Sequence, residues 1–274
     1  MNPDSDLRDI ENVYRDPALE RYIDPAHLTR EALAAYRARL DESESGPLVL
    51  DDFLKPDVFG RIAAAFEEDL LPERVFALIE VGKVSEKRWD AASPSERFYS
   101  DLDLSKPRPG HEMAPGFLRH LLLINALGVS GFLNWFSYLS GCHLRSVEAV
   151  ARAADPLRGD SVAWHTDASN QRALCVVVYM HRVWDTGRGG RFFYKNRAGK
   201  LHHSDPLPNR ALVFRARTAF QHRVEPMDPA AGDALRYNYT WWFRTEPAES
   251  GAGTTRPGFS GEQTGRATNT ADRV

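Results

Sequence analysis

The fold is decided by a series of short runs rich in β-branched and aromatic residues: LRSVEAVARA (144–153), SVAWHTD (161–167), ALCVVVYMH (173–181), GRFFYKN (190–196), ALVFRA (211–216) and LRYNYTWWF (235–243). The segments between them carry turn-forming Gly, Pro, Asp and Asn: DPLRG (155–159), WDTGRGG (184–190), SDPLPN (204–209) and PMDPAAGD (226–233). Short strands separated by such turns predict an antiparallel sandwich or barrel.

Helical spacing dominates the chain before this region. Leu33, Tyr36 and Leu40, for example, fall on one face of a helix. The predicted elements are a helix over 29–40, a strand over 47–53, a helix over 56–70, a long loop within 82–113, and buried helices over 117–127 and 131–139. Helices followed by strands favour a mainly β fold of the α+β class, in which N-terminal helices brace an all-β core.

Composition excludes several classes of protein. The chain has 274 residues, of which 42% are hydrophobic, so it can bury a sizeable core. A net charge of −3 argues against nucleic acid or an anionic membrane as the main partner. The two cysteines, Cys142 and Cys175, are too few for a disulfide framework or a thiolate zinc site. The N-terminus is too polar for a signal peptide, and charged residues such as Arg119 interrupt the apolar stretch 117–139. We therefore expect a soluble, cytoplasmic protein with no membrane partner.

A metal site is indicated by three residues at strand ends. His165 and Asp167 form a His-x-Asp pair, and in an extended segment such residues point to the same side. His222 ends another apolar run and can supply a third ligand. Two imidazoles and one carboxylate on one side of a metal form the facial triad of non-haem Fe(II) oxygenases. Zinc with the same ligands remains open on this pattern alone.

An arginine stands in the last and most apolar run. By alternation, Arg236, Asn238, Thr240 and Trp242 share one face of this strand. A guanidinium in such surroundings is costly unless it meets an anion. The two interpretations are a structural ion pair and a clamp on a carboxylate ligand.

Taken together, residues 144–244 resemble the Fe(II)/2-oxoglutarate-dependent dioxygenases, in particular the prolyl-4-hydroxylase-like branch. The matching motifs are, in order, His165-Thr166-Asp167, Tyr179-Met180-His181 with Trp184, Gly189-Gly190, Pro208-Asn209-Arg210-Ala211-Leu212-Val213-Phe214, His222-Arg223-Val224-Glu225-Pro226, and the strand from Arg236 to Trp242. The family usually has tyrosine-leucine-asparagine where this chain has Tyr179-Met180-His181. The segment 48–54 also looks like the start of the domain in this branch, so the resemblance extends weakly over 48–143.

The resemblance implies a double-stranded β-helix, a jelly-roll-type barrel, and a role for each matching residue. His165, Asp167 and His222 would bind Fe(II). Arg236 would hold the distal carboxylate of 2-oxoglutarate. Tyr179 and Thr240 would donate hydrogen bonds to that cosubstrate. Arg172 and Trp242 would line the active site or contact substrate.

The implied reaction is hydroxylation of an unactivated C–H bond with O2, with release of succinate and CO2 and with ascorbate as an optional addition. The presence of Asp167 favours hydroxylation over halogenation, because related halogenases lack this carboxylate. The first substrate hypothesis is a small molecule, such as a free amino acid or a natural-product intermediate, and the alternative is a prolyl-type residue of a protein. Two hypotheses from other classes are a non-catalytic metal- or ligand-binding barrel and a zinc hydrolase.

The chain is therefore expected to divide into three parts. Residues 1–47 would form a helical extension, and residues 48–244 the oxygenase domain with its metal-binding core at 144–244. Residues 245–274 hold almost no apolar side chains and would form a disordered tail. The sequence leaves the oligomeric state open.

Overall fold

The structure is a computed structural model, and it describes residues 13, 15–41, 46–67, 73–104, 130–168, 171–216 and 220–245. The α-helices are α1 (Pro17–Tyr22), α2 (Arg30–Asp41), α3 (Pro56–Glu67), α4 (Glu86–Ala91) and α5 (Ser130–Ser140). The strands are β1 (Leu48–Leu50), β2 (Glu73–Leu78), β3 (Gly82–Val84), β4 (Arg97–Asp103), β5 (Ser146–Ala154), β6 (Val162–His165), β7 (Arg172–Tyr179), β8 (Phe192–Lys195), β9 (Leu201–Ser204), β10 (Ala211–Arg215), β11 (His222–Val224) and β12 (Arg236–Arg244). No helix among these is long and apolar enough to span a membrane.

One antiparallel sheet holds all of these strands, in the order β1-β10-β7-β12-β5-β4-β6-β11-β8-β9, with β2 and β3 attached at β4. From β5 onward the chain crosses repeatedly between a β10-β7-β12-β5 layer and a β6-β11-β8-β9 layer. The sheet curls so that the layers face each other, and Phe192 of β8 lies 5.7 Å from Phe214 of β10 between ring centroids. The fold is the expected double-stranded β-helix, with helices on one side.

Strand β12 shows how alternation positions the site. Tyr239, Trp241 and Phe243 are fully buried on one face of β12, in the core that the helices share. The ring of Phe243 packs 4.4 Å from that of Phe136 on α5, measured between centroids. Burial of these large rings fixes the outer face of β12 against the helices. Because side chains alternate along a strand, Arg236 and its neighbours at i+2 spacing must face the inside of the barrel.

The structure corrects the predicted loop within 82–113. Residues 82–103 instead contain β3, α4 and β4, and β4 pairs with β2 along most of its length. The polar, Ser- and Pro-containing composition of this stretch suggested a loop. Its backbone groups are satisfied by cross-strand hydrogen bonds, a tertiary effect that local composition does not carry. Residues 105–113 lie outside the described residues.

The other predicted elements are found where the structure describes the chain. The predicted helix over 29–40 corresponds to α2, the helix from residue 56 to α3, and the helix over 131–139 to α5. The predicted strand over 47–53 is shorter, because only β1 pairs with β10. The predicted helix over 117–127, most of the predicted tail and residues 1–12 lie outside the described residues.

Candidate active site

Two histidines face each other on neighbouring strands inside the barrel. His222 of β11 is in register with His165 of β6, and their ring centroids are 4.1 Å apart. Asp167, just beyond β6, brings its carboxylate to 3.9 Å from Nε2 of His165 and 3.5 Å from Nε2 of His222. One potential ligand atom from each of the three residues lies within 4.8 Å of the others. The structure therefore brings the three predicted metal ligands together.

Both imidazoles are oriented by their own backbone. Nδ1 of His165 hydrogen-bonds the carbonyl of Ala163 at 2.9 Å, and Nδ1 of His222 hydrogen-bonds the carbonyl of Phe220 at 3.1 Å. A backbone carbonyl can only accept, so each Nδ1 carries the proton. The lone pair of each Nε2 then points into the shared space. This arrangement is the one that metal-binding histidines ordinarily use.

Electrostatics favours the protonation states that a metal needs. Burial, assisted by the nearby His222, lowers the pKa of His165 to about 4, so this imidazole is neutral at pH 7. Burial by itself would raise the pKa of Asp167. Its interactions with His222, His165 and Arg172 outweigh that effect and hold the pKa of Asp167 below its usual value. A neutral imidazole and an ionised carboxylate are the forms that bind divalent metals.

The side chain of Arg236 is buried in the same interior. Its Nη1 donates to the carbonyl of Gly190 at 2.8 Å, and its Nε has no hydrogen-bond partner among the described residues. No described carboxylate lies within ion-pair distance of it, and burial lowers its pKa. A buried cation with unused donors suits a carboxylate ligand. The residues present therefore fit the distal carboxylate of 2-oxoglutarate.

Tyr179 lies beside this arginine. It is in register with Asn238, and its ring centroid is 5.9 Å from the guanidinium carbon of Arg236. Its side chain packs with Cys175 and Val177 on the interior face of β7, as strand parity predicted. Burial raises the pKa of Tyr179 to about 12, so the phenol stays protonated and can donate a hydrogen bond.

The triad and the buried arginine lie in a stretch that matches a known protein family. Residues 150–244 match the family model of the 2OG-Fe(II) oxygenase superfamily. The resemblance seen in the sequence is thus confirmed over these residues, which we call the oxygenase region, and the match supports an oxidoreductase. The family implies Fe(II), 2-oxoglutarate and O2. No curated protein sequence matches the chain.

Solved structures with the same fold include two prolyl hydroxylases. A Pseudomonas putida prolyl-4-hydroxylase has a TM-score of 0.51 at 21% identity, covering 78% of this chain and 99% of its own. A Trichoplax adhaerens prolyl hydroxylase, in complex with a hypoxia inducible factor oxygen degradation domain peptide fragment, has a TM-score of 0.52 at 18% identity, covering 79% and 94%. A 2OG-Fe(II) oxygenase family oxidoreductase from Burkholderia pseudomallei has a TM-score of 0.53 at 17% identity, covering 80% and 93%. At these identities the likeness shows the fold alone.

Within the oxygenase region, Thr240 lies on the same face of β12 as Arg236. Its hydroxyl oxygen accepts a hydrogen bond from Nδ2 of Asn238 at 3.0 Å, so its proton is available for another acceptor. Asn238, which is buried, was placed on this face by alternation but was not singled out as a site residue. Its contact with Thr240 appears only in the structure.

Arg172 and Trp242 lie together near the triad. The guanidinium carbon of Arg172 is 4.4 Å from the ring centroid of Trp242, and its Nη1 is 4.0 Å from the carboxylate of Asp167. Glu148 pairs with Arg172 at 3.0 Å and also accepts a hydrogen bond from Arg244. Sequence reasoning missed Glu148, although its register opposite Trp242 places it on the interior face.

The triad is also surrounded by phenylalanines that sequence reasoning did not assign to the site. Phe192, Phe214 and Phe220 lie with ring centroids 5.0 to 5.6 Å from that of His222. Phe98 of β4 lies 5.1 Å from His165. These rings make the surroundings of the two imidazoles largely apolar. Phe98 was missed because its strand was interpreted as a loop.

Proposed function

We propose that this protein is an Fe(II)- and 2-oxoglutarate-dependent dioxygenase that hydroxylates an unactivated C–H bond. In this proposal His165, Asp167 and His222 hold the iron, and Arg236, Tyr179 and Thr240 bind 2-oxoglutarate. The observation that carries it is the combination of a His-Asp-His cluster with a buried arginine that has no carboxylate partner among the described residues. Neither a non-catalytic barrel nor a zinc hydrolase requires both features.

When bound, the iron and 2-oxoglutarate would supply the oxidising chemistry with O2, with release of succinate and CO2. The protein's own residues bind and orient. The triad would hold the metal from one side and would leave other coordination positions for the cosubstrate and O2. Arg236 offers a fixed fork of donors to the distal carboxylate, and the protonated hydroxyl of Tyr179 adds another donor. The phenylalanines around His222 and His165 would give the metal apolar surroundings that restrict water.

Asp167 is the basis for proposing hydroxylation rather than halogenation. Its carboxylate is ionised and lies near both Nε2 atoms, so it would take the coordination position that a halide needs. The outcome can be checked by product mass in the presence of chloride. A gain of one oxygen supports the proposal, and incorporation of chlorine contradicts it.

For the substrate we propose a small molecule, such as a free amino acid or a natural-product intermediate. Arg172 and Trp242 would contact it, since both lie on the interior face near the triad. A peptide substrate is a comparably plausible alternative, because the solved structures with this fold include prolyl hydroxylases. Stimulation of succinate release by a metabolite extract, compared with a proline-containing peptide library, separates the two.

The central experiment needs no substrate. Anaerobic addition of Fe(II) and then 2-oxoglutarate should produce the visible charge-transfer band of the chelate, and admission of O2 should convert 2-oxoglutarate into succinate. Repetition with ascorbate tests whether that reductant sustains turnover. If neither the band nor succinate appears, the proposed function fails. A Zn(II)-dependent hydrolysis in its place would favour the hydrolase.

A further inference from the structure

Gly190, in the turn before β8, packs against the side chain of Arg236. It forms the centre of a wall that His181 and Trp184 extend. This glycine has a φ of +67°, and a Cβ atom there would lie 2.6 Å from Sδ of Met227 and 3.2 Å from Cδ of Arg236. The same Cβ position is 3.6 Å from the Cη2 atom of Trp184. Since the Gly190 carbonyl also accepts from Nη1 of Arg236, the arginine's stem and head group both rest on this turn.

Two aromatic side chains extend this wall. The ring of His181 lies 4.7 Å from that of Trp184 and 5.9 Å from that of Tyr179, between centroids. The Tyr179 ring in turn lies under the guanidinium of Arg236. Tyr179, His181 and Trp184 therefore form a continuous row of rings between the arginine and the glycine turn.

The ring of His181 is held in one orientation and is uncharged. Its Nε2 donates to the carbonyl of Pro206 at 2.5 Å, which fixes the ring plane. The side chain is buried, and burial lowers the pKa of His181 to about 4, so the ring is neutral and does not repel the nearby Arg236. The family resemblance gives an asparagine at this position, which could donate to Pro206 but could not pack as a ring.

Trp184 contributes by packing rather than by a hydrogen bond. Its Nε1 is buried and has no partner among the described residues, so no polar contact within the described protein holds it. Its ring edge instead lies in ordinary van der Waals range of the position that a Gly190 Cβ would take. Removal of the ring would open space beside Gly190, on which the side chain of Arg236 rests.

We propose that His181 and Trp184 are positioning residues that hold Arg236 against Gly190 and so set which length of 2-oxo acid the protein accepts. The inference rests on the proposed function, in which Arg236 binds the distal carboxylate of the cosubstrate. A guanidinium at a fixed distance from the metal ligands selects one separation between the keto-acid end and the distal carboxylate. A loosened guanidinium would tolerate the longer chain of 2-oxoadipate.

The test is calorimetric titration of the Mn(II)-loaded 274-residue chain with 2-oxoglutarate and with 2-oxoadipate, under conditions without turnover. The variants are His181→Ala, His181→Asn, Trp184→Ala and Trp184→Phe. His203→Ala, at an exposed histidine on β9, is the matched control. Mn(II) affinity and melting temperature are measured for every variant, so that loss of folding is recognised.

We expect the two alanine variants at 181 and 184 to bind 2-oxoglutarate about tenfold more weakly, as is typical when support for a ligand-binding side chain is removed. Their preference for 2-oxoglutarate over 2-oxoadipate should fall, while Mn(II) affinity stays unchanged. His181→Asn should recover part of the affinity, Trp184→Phe most of it, and His203→Ala should behave as wild type.

The inference is overturned if the alanine variants keep the wild-type affinity and chain-length preference, or if both 2-oxo acids weaken by the same factor. It is also overturned if Trp184→Phe is as weak as Trp184→Ala, because Trp184 would then act as a direct hydrogen-bond donor. If the alanine variants do not fold, the conservative variants decide by the same measurements. A wild-type protein that binds no 2-oxoglutarate contradicts the proposed function instead.

Discussion

His165 and His222 lie directly opposite each other on antiparallel strands, with both Nδ1 atoms bonded to backbone carbonyls two residues earlier. The two rings therefore present Nε2 atoms to one space before any metal arrives. Asp167 adds a carboxylate to the same space. Pre-orientation of this kind lowers the cost of ordering ligands when a metal binds.

Metal binding should stabilise the folded protein through these three residues. A ligand that binds only the folded state raises its free energy of unfolding by an amount that grows with ligand concentration. We expect Mn(II) or anaerobic Fe(II) to raise the melting temperature of the wild type and to have no such effect on His222→Ala. Differential scanning fluorimetry with His202→Ala as control checks this. An equal rise in all three proteins would place the metal elsewhere.

Removal of Arg236 should separate cosubstrate binding from metal binding. The guanidinium is buried, its Nη1 donates to the Gly190 carbonyl, and its Nε has no partner among the described residues. Charge-assisted bidentate contacts from such a group to a carboxylate are strong. Arg236→Ala should weaken 2-oxoglutarate binding by on the order of a hundredfold while Mn(II) affinity changes little. Calorimetry measures both constants. An equal loss of both would assign Arg236 a purely structural role.

Gly190 should tolerate substitution far less than another glycine with similar backbone geometry. Gly199 has a φ of +75°, but a Cβ there would meet nothing within 4 Å, whereas at Gly190 it would meet Met227 and Arg236. Gly199→Ala should cost only backbone strain of about 1 kcal/mol. Gly190→Ala should add a packing cost of about 1–3 kcal/mol and weaken 2-oxoglutarate binding. Urea unfolding measures the loss of unfolding free energy in each variant. Equal losses would contradict the prediction, because they would show that Met227 and Arg236 move aside without cost.

The pH dependence of stability should report on Asp101. Burial raises the pKa of Asp101 to about 6, despite the opposing charge of Arg152 at 3.0 Å. The folded protein then binds this proton more tightly than the unfolded chain does. The stabilisation is therefore present at low pH and lost as pH rises from about 4 through 6.

Asp101→Asn keeps the uncharged form at every pH. We expect the free energy of unfolding of this variant, minus that of the wild type, to increase between pH 4 and pH 7. Chemical unfolding across this range measures the difference, and Asp57→Asn, at an exposed helical site, is the control. A difference that stays constant with pH, or falls, would contradict a raised pKa in the folded state.

The placement of the proposed ligands His165 and Asp167 and of Arg236 could be predicted from the sequence because strand alternation is a local rule. It placed His165 and Asp167 on one side of an extended segment, and Arg236 on the opposite face from Trp241. Those placements hold in the structure. The same rule predicted that Tyr179 would lie with Cys175 and Val177.

Local rules failed where long-range pairing decides the structure. Residues 97–103 are polar enough to be interpreted as a loop, yet they form β4 because β2, β5 and β6 offer partners for its backbone. This strand carries Phe98 to His165 and Asp101 to Arg152. Neither contact leaves a signal in the spacing of residues along the chain.

By itself, the sequence determined the fold class, the placement of His165 and Asp167 on one side of an extended segment, and the interior face of β12, because hydrophobic alternation and turn residues act over a few neighbouring positions. Only the tertiary structure decided that His222 stands in register with His165, and that Gly190, His181 and Trp184 form a wall behind Arg236. Those relationships depend on strand register and side-chain packing between segments far apart in sequence, which become definite only when the sheet closes around its core.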